Sequence, residues 1–516
     1  MISNPHYNIN ESPLTLEDVY SVAIDKRKVS LHPDTEKRIE ASHKIIKKMV
    51  EEDDRPIYAV NTGFGSLKDV RIPKEKLKQL QLNLIRSHSV GVGPPLPRET
   101  VRAMMLLRAF TLSLGYSGVR PAVVHGLLGM LNEDIIPLIP SQGSVGASGD
   151  LAPLSHLALA MIGEGEVEWQ GRRLRAVEVF KMLKLEPLSP EPKEALALVN
   201  GTQMMCSVGV LALLKAENVL RHADIAAAMT LEANLGSPRA FDDRVHAVRP
   251  HPGQRKVANN LLKLLKDSEI YESHQNCTRV QDAYSIRCAP QVHGAAWDAI
   301  GYTRRVLETE INSVTDNPIV FPDQGRGGDV ISAGNFHGQP VALALDFMSI
   351  ALTAVASISE RRTARLLNPA LSELPVALVE HAGLQSGLMM SQVTQASLVN
   401  ECKTFSHPAS VDSIPTWADQ EDHVSMGAFA ARKADQVVEA LTKVIAIEMI
   451  CAAQGLEFRK PLRSGKGVEK AFISIREVIP MVKEDRELAK DFERAVQLIS
   501  EKQILHAVME AVGPIL

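Results

Sequence analysis

Ser144-Val145-Gly146-Ala147-Ser148-Gly149-Asp150-Leu151 is the stretch from which the rest of the chain becomes readable. Its small residues let a backbone fold onto itself. In Ala147-Ser148-Gly149 the amide nitrogen of Gly149 is free to approach the carbonyl carbon of Ala147, because glycine has no side chain to block it and tolerates positive φ. Closure with loss of two waters gives an electrophilic five-membered ring whose exocyclic carbon comes from Ser148. A flexible turn before a helix is the plainer reading of the same residues. A serine-hydrolase elbow needs G-x-S-x-G, and Asp150 stands where the last glycine belongs. A phosphate loop or dinucleotide fingerprint needs a GK[ST] ending or alternating βα units, and neither is present.

The surroundings read as helical. The chain has 516 residues, 45% hydrophobic but only 4% aromatic, so Ala, Leu, Val, Ile and Met must do the packing, which favours long helices. Apolar residues recur at helical spacing over 76–89 and 99–132, with Gly91, Gly93, Pro94 and Pro95 as a hinge between them. A helix resumes over 151–162, with Asp150 as its first-turn acid or cap. A small hairpin is expected within 167–186, and Pro187, Pro190 and Pro192 mark a boundary. The predicted plan is therefore an amino-terminal domain, 1–198, carrying the loop, and a long-helix domain, 199–516. Segments 204–233, 291–315, 340–367 and 425–456 exceed the usual length of about 12 residues for a helix. The loop 58–65 is entered from a strand-like stretch, and 323–329 reads as a glycine-rich surface turn.

The net charge of −4 without a basic run argues against nucleic acid or membrane partners and for a small molecule. Five scattered cysteines without C-x-x-C spacing, and no signal-like amino terminus, point to a reduced, cytoplasmic setting. The longest conspicuous apolar run, Met204–Leu214, falls short of the ~20 residues of a membrane span, so none is expected. His156 reads as a core residue and Met389-Met390 as core filler. His337 and His423 lack any zinc-binding pattern, and no metal is expected.

Residues 144–166, including Ala152-Pro153-Leu154-Ser155-His156-Leu157-Ala158, closely resemble the signature of the aromatic amino acid ammonia-lyases. The resemblance extends to 58–65, Ser87-His88, Asn200-Gly201-Thr202-Gln203, 281–290, 312–318, Gly334-Asn335-Phe336-His337 and 420–426, so it spans nearly the whole chain. It implies a mainly α, fumarase/aspartase-like elongated helical bundle with a smaller mixed amino-terminal domain carrying the loop. It also implies a 4-methylidene-imidazole-5-one (MIO) group formed from Ala147, Ser148 and Gly149, and no metal. The family is homotetrameric, with each active site built from three subunits.

Ser87-His88 resembles the histidine-deaminating branch, whereas phenylalanine-specific relatives carry Phe-Leu and tyrosine-specific ones His-Leu. Glu421 stands where phenylalanine lyases have an uncharged residue, and a carboxylate accepts an imidazole N–H. The resemblance thus implies conversion of L-histidine to trans-urocanate and ammonia, the first step of histidine degradation. A tyrosine or phenylalanine lyase or aminomutase, or an inactive scaffold, are the alternatives. Ala283 replaces a common proline, and Gly338-Gln339 a common Ala-Glu.

By the same resemblance Tyr58 is the β-proton base. A phenol of pKa near 10 needs roughly 4 kcal/mol to present phenoxide at neutral pH, which helix amino termini at up to ~2 kcal/mol each are expected to offset. Arg287 is expected to grip the substrate carboxylate bidentately. Tyr284 and Gln281 contact the amine, carboxylate or ring, with Tyr284 as proton shuttle. Asn200 donates to the ring carbonyl, and His88, Asn335, Phe336 and Glu421 complete the pocket.

Overall fold

The computed structural model describes residues 6–9, 11–52, 56–58, 60–275, 277, 279–322 and 328–516. The chain is mainly α, and the long helices expected from the alanine- and leucine-rich stretches are Gln203–Ala233, Ala289–Glu310, Gln339–Leu366 and Gly427–Glu457. It divides into two compact units. One comprises Met1–Leu211, Arg304–Asp346 and Pro408–Arg432; the other comprises Ala212–Thr303, Phe347–His407 and Lys433–Leu516.

In the first unit the helix Arg98–Ser113 is buried on nearly every face, including Arg102 and Arg108. Each fully buried Leu, Val or Met side chain there contributes ~1.5–3 kcal/mol. The helical stretch read over 99–132 is two helices, Arg98–Ser113 and Pro121–Asn132, because Gly115 and Gly118 take φ of 83° and 71° between them. The glycine-proline hinge is instead a strand, Val92–Pro95, paired antiparallel with Pro140–Gln142 immediately before the loop. Proline is tolerated there because this is an edge pairing that spares its missing N–H. The expected hairpin is present as Glu166–Trp169 against Arg172–Arg175, with Ile136–Pro137 as a third strand. Residues 56–65 contain no strand among those described: Tyr58 and Val60 lie in turns. Ala59 and most of 323–329 lie outside the described residues.

In the second unit the helices Pro252–Leu264 and Ala289–Glu310 touch backbone to backbone: a Cβ added at Gly253 would lie 2.0 Å from the Gly294 carbonyl oxygen. Its interior also holds a fully buried ion pair, Arg362 with Glu448 at 2.5 Å. Met389 and Met390 are 52% and 56% exposed, so they are not core filler. They occupy the first turn of the helix Met389–Phe405, where only Ser391, Gln395, Val399 and Cys402 face inward.

Two helices, Gln203–Ala233 and Gln339–Leu366, are long and apolar enough to cross a membrane. The first extends well past the apolar run Met204–Leu214, because the helix continues through Ala-rich sequence to Ala233. Their most apolar windows are 83% and 61% buried inside the protein, as in core helices.

Candidate functional site

The first unit holds a cavity of about 1070 Å³. Tyr58, His88, Ala147, Ser148, Asn200, Phe336 and Glu421 all line it. Ala147-Ser148-Gly149 sits between the strand Pro140–Gln142 and the helix Leu151–Met161. Gly149 has φ of 73°, and a Cβ there would lie 2.1 Å from the Gly201 carbonyl oxygen, so only glycine fits. The loop is held from both ends. The Ser425 hydroxyl donates to the Gly146 oxygen at 3.0 Å, and the Met426 amide to the Val145 oxygen at 2.8 Å. Gly201 pairs with it on the other side: its amide donates to the Ser148 oxygen at 3.4 Å, and its oxygen accepts from the Asp150 amide at 2.7 Å.

Asp150 stands at the amino end of Leu151–Met161 but does not cap it with its side chain. Its carboxyl instead accepts from the Met205 amide at 2.9 Å, in the first turn of Gln203–Ala233, and from the Ser144 hydroxyl at 3.1 Å. The side chain therefore ties the start of one helix to the loop preceding another. Burial pushes its pKa up to about 7 despite these hydrogen bonds.

The Ser148 hydroxyl donates to Glu421 Oε1 at 3.3 Å, while Glu421 Oε2 accepts from Thr416 at 2.5 Å. Glu421 is presented by a tight turn in which Trp417, Ala418 and Asp419 all have positive φ, of 48°, 52° and 57°. Such backbone is costly for non-glycine residues and persists where the surroundings fix it. Gly65 packs against Trp417: a Cβ at Gly65 would lie 2.7 Å from Trp417 Nε1.

His88, near the end of the helix Leu77–His88, directs Nδ1 to the Leu84 carbonyl at 3.0 Å. A carbonyl only accepts, so Nδ1 carries the proton and Nε2 is the acceptor of the neutral ring. Burial holds its pKa below the usual imidazole value, against the Leu84 bond and Glu421. Tyr58 accepts from the Gly65 amide at 3.2 Å. Burial raises its pKa, the Gly65 bond opposes that, and Glu421 adds to it. The Asn200 side-chain amide donates to the Asn317 oxygen at 3.1 Å, and its Oδ1 is buried with no partner among the described residues.

Asn335 is exposed, donates to the Val314 oxygen at 3.3 Å and does not line the cavity. Gln281, Tyr284 and Arg287 belong to the second unit and are not among the lining residues either. Tyr284 is 72% exposed, with the Arg287 guanidinium 4.6 Å from its ring centre and Arg287 Nε donating to the Asp282 oxygen at 3.0 Å.

Sequence reasoning passed over Trp417 and Asn317, both of which line the cavity. Trp417 is one of three tryptophans in the chain and lies three residues before Gln420, which was the available signal. His337 and His423 also line the cavity, with rings stacked 5.8 Å apart at 6°. The Gln339 amide donates to His337 Nδ1 at 3.3 Å, which leaves Nε2–H to donate to the His423 oxygen at 3.2 Å. His156 accepts from the Gly91 amide at 3.1 Å through Nε2, a satisfied half-buried ring. Among the described residues no group of three or more His, Cys, Asp or Glu is arranged to hold a metal.

A model of the aromatic amino acid lyase family matches residues 14–477. A histidine ammonia-lyase of Myxococcus xanthus is 51% identical over 510 residues, which is 99% of this chain and 100% of the relative. The crystal structure of histidine ammonia-lyase from Trypanosoma cruzi superposes with a TM-score of 0.90 at 42% identity, over 98% of this chain and 96% of that one. Tyrosine aminomutase from Streptomyces globisporus gives 0.91 at 36% identity, over 98% and 99%. Match length, identity and a shared mainly α fold agree: the chain belongs to the aromatic amino acid lyase family.

Proposed function

We propose that the protein deaminates L-histidine without oxidation, giving trans-urocanate and ammonia. The observation that carries this is Glu421, whose carboxylate stands 3.3 Å from the Ser148 hydroxyl in the cavity that His88 also lines. The relatives named above as histidine ammonia-lyases support the same substrate.

The residues fit an MIO group at 147–149: Gly149 has no side chain to obstruct the approach of its nitrogen to the Ala147 carbonyl, and Ser148 lines the cavity. Once formed, that group supplies a carbon electrophile for the substrate amine. Glu421 accepts the imidazole N–H, a bond to a charged acceptor worth roughly 1.5–3 kcal/mol. His88, whose pKa burial lowers, lies beside the same ring. Tyr58 takes the β-proton as phenoxide. Phe336 and Asn200 close the pocket, Asn200 as the donor to the ring carbonyl. Arg287 orients the substrate carboxylate, and Gln281, Tyr284 and Asn335 complete the site.

The 72% exposure of Tyr284 on its own chain supports a homotetramer whose sites are shared between subunits. Further support comes from an apolar stripe left exposed on Gln339–Leu366: Leu343, Phe347 and Ile350 are 46–47% exposed at helical spacing. An assembly that brings helix amino termini to Tyr58 would lower its pKa. Five free cysteines support a cytoplasmic setting.

Offering L-histidine, L-tyrosine and L-phenylalanine in turn and following the ultraviolet absorbance of the unsaturated acid tests the reading. Urocanate from histidine alone is expected. Cinnamate or coumarate instead would assign a phenylalanine or tyrosine enzyme, and no product from any of them an inactive scaffold.

A further inference from the structure

Arg108 is fully buried and does not line the cavity. Its Nη1 donates to the Asn200 backbone oxygen at 2.5 Å and to Gln203 Oε1 at 2.8 Å. Gln203 is fixed in turn by donating to Thr315 at 2.8 Å and Thr111 at 3.2 Å. Arg108 Nε and Nη2 are buried without a partner among the described residues. Burial lowers its pKa only to about 10, opposed by Asp316, so it is a cation at neutral pH. Asp316 is already committed to Lys193 at 2.8 Å, both side chains fully buried. A guanidinium kept in such a place is costly, and packing alone would be served as well by an apolar side chain.

The carbonyl that receives Arg108 belongs to the Asn200–Gly201 peptide, and the N–H of that same peptide donates to the Ser148 oxygen at 3.4 Å. A cation on a peptide oxygen draws electron density from its nitrogen and strengthens the N–H as a donor, the cooperativity of a hydrogen-bonded chain. Ser148 keeps its carbonyl when the tripeptide closes, and this oxygen is conjugated to the exocyclic carbon. It is where negative charge collects when that carbon takes a nucleophile, so a stronger donor there favours the reaction.

We propose that Arg108 is a positioning residue: through the Asn200–Gly201 peptide it holds and polarises the donor aimed at the Ser148 carbonyl. This rests on the reading that residues 147–149 cyclise, and the test separates the two.

Wild type, R108Q and R108K are compared by intact mass, by near-ultraviolet absorption, and by kcat per cyclised site alongside KM for L-histidine. Wild type is expected to be lighter than the encoded chain by two waters; the full encoded mass would overturn the cyclisation reading itself. With wild type cyclised, R108Q is expected to lose about tenfold to a hundredfold in kcat per cyclised site, since a donor is weakened and not removed. Its KM is expected to stay within about twofold, as no uniform binding contact is lost, and the near-ultraviolet band to move to shorter wavelength. R108K, with a point charge in place of the fork, should fall between. A folded R108Q that stays uncyclised also supports the proposal, because the same donor holds Ser148 during closure. A cyclised R108Q with wild-type kcat per site and an unshifted band overturns it. If R108Q does not fold, R108K and Q203L, which removes the second anchor of the guanidinium, are read by the same criteria.

Discussion

The Ser148 hydroxyl and the Glu421 carboxylate, 273 residues apart in the chain, meet at 3.3 Å. Glu421 is thereby aimed at the carbon source of the proposed electrophile, while Thr416 fixes its other oxygen. The pair joins the group that names the chemistry to the group that names the substrate.

E421Q is expected to lower kcat/KM for L-histidine by ten- to a hundredfold, from loss of a hydrogen bond to a charged acceptor worth roughly 1.5–3 kcal/mol. The amide keeps the shape of the side chain, so cyclisation should be unaffected by intact mass. Steady-state kinetics on histidine and phenylalanine check the prediction: the ratio between them must shrink. An unchanged ratio would remove Glu421 from substrate recognition.

Tyr58→Phe is expected to reduce kcat by about 10²–10⁴-fold, the usual worth of a positioned base, with substrate binding retained. Within one chain burial and Glu421 raise the phenol pKa, so phenoxide forms only at more alkaline pH than for a free tyrosine. The sign follows: activity should rise with pH as phenoxide forms, and an assembly that lowers the pKa should move that rise toward neutrality. Activity measured against pH at high protein concentration and after dilution to monomer checks this. A diluted monomer with full specific activity would contradict the shared site.

The long helices were legible because alanine- and leucine-rich periodicity persists through them, and the cavity's main residues because each lies in a recognisable block. Other features depended on contacts that spacing does not encode. The break at Gly115 and Gly118 hid inside a helical pattern that tolerates isolated glycines. Gly91–Pro95 looked like a hinge, since nothing local says that Pro140–Gln142 will pair with it. Asp150 sits where a cap belongs, yet its carboxyl turns to Met205, a residue brought close only by the fold. Met389 and Met390 read as core from composition, and exposure depends on which helix face has a neighbour.

Asp150 makes stability depend on pH. Its pKa rises from 3.8 to about 7 on folding, so the folded state holds a proton that the unfolded chain releases. The associated stabilisation is complete below pH 3.8 and is lost as pH rises through about 7, a span worth about 4 kcal/mol. D150N cannot ionise and keeps an acceptor for Met205 or Ser144. The urea midpoint of wild type relative to D150N is therefore expected to fall between pH 4 and 7.5, and a pH-independent difference would show that Asp150 titrates normally.

Gly149→Ala puts the local geometry to its strictest test. The added Cβ would lie 2.1 Å from the Gly201 carbonyl oxygen, and alanine must also adopt a φ of 73° that costs an L-residue roughly 1–2 kcal/mol. The contact atom is backbone and not a flexible side-chain end, so the backbone of the loop or of Asn200–Gly201 must move. That motion pulls the residue-149 nitrogen away from the Ala147 carbonyl and loosens the Gly201 donor on Ser148. The variant is expected to fold, to show the full encoded mass and to lack turnover, whereas Gly171→Ala, where an added Cβ meets nothing within 4 Å, should keep the mass loss and the activity. If Gly149→Ala were lighter by two waters, the close approach of Gly149 to Gly201 would have no part in ring formation.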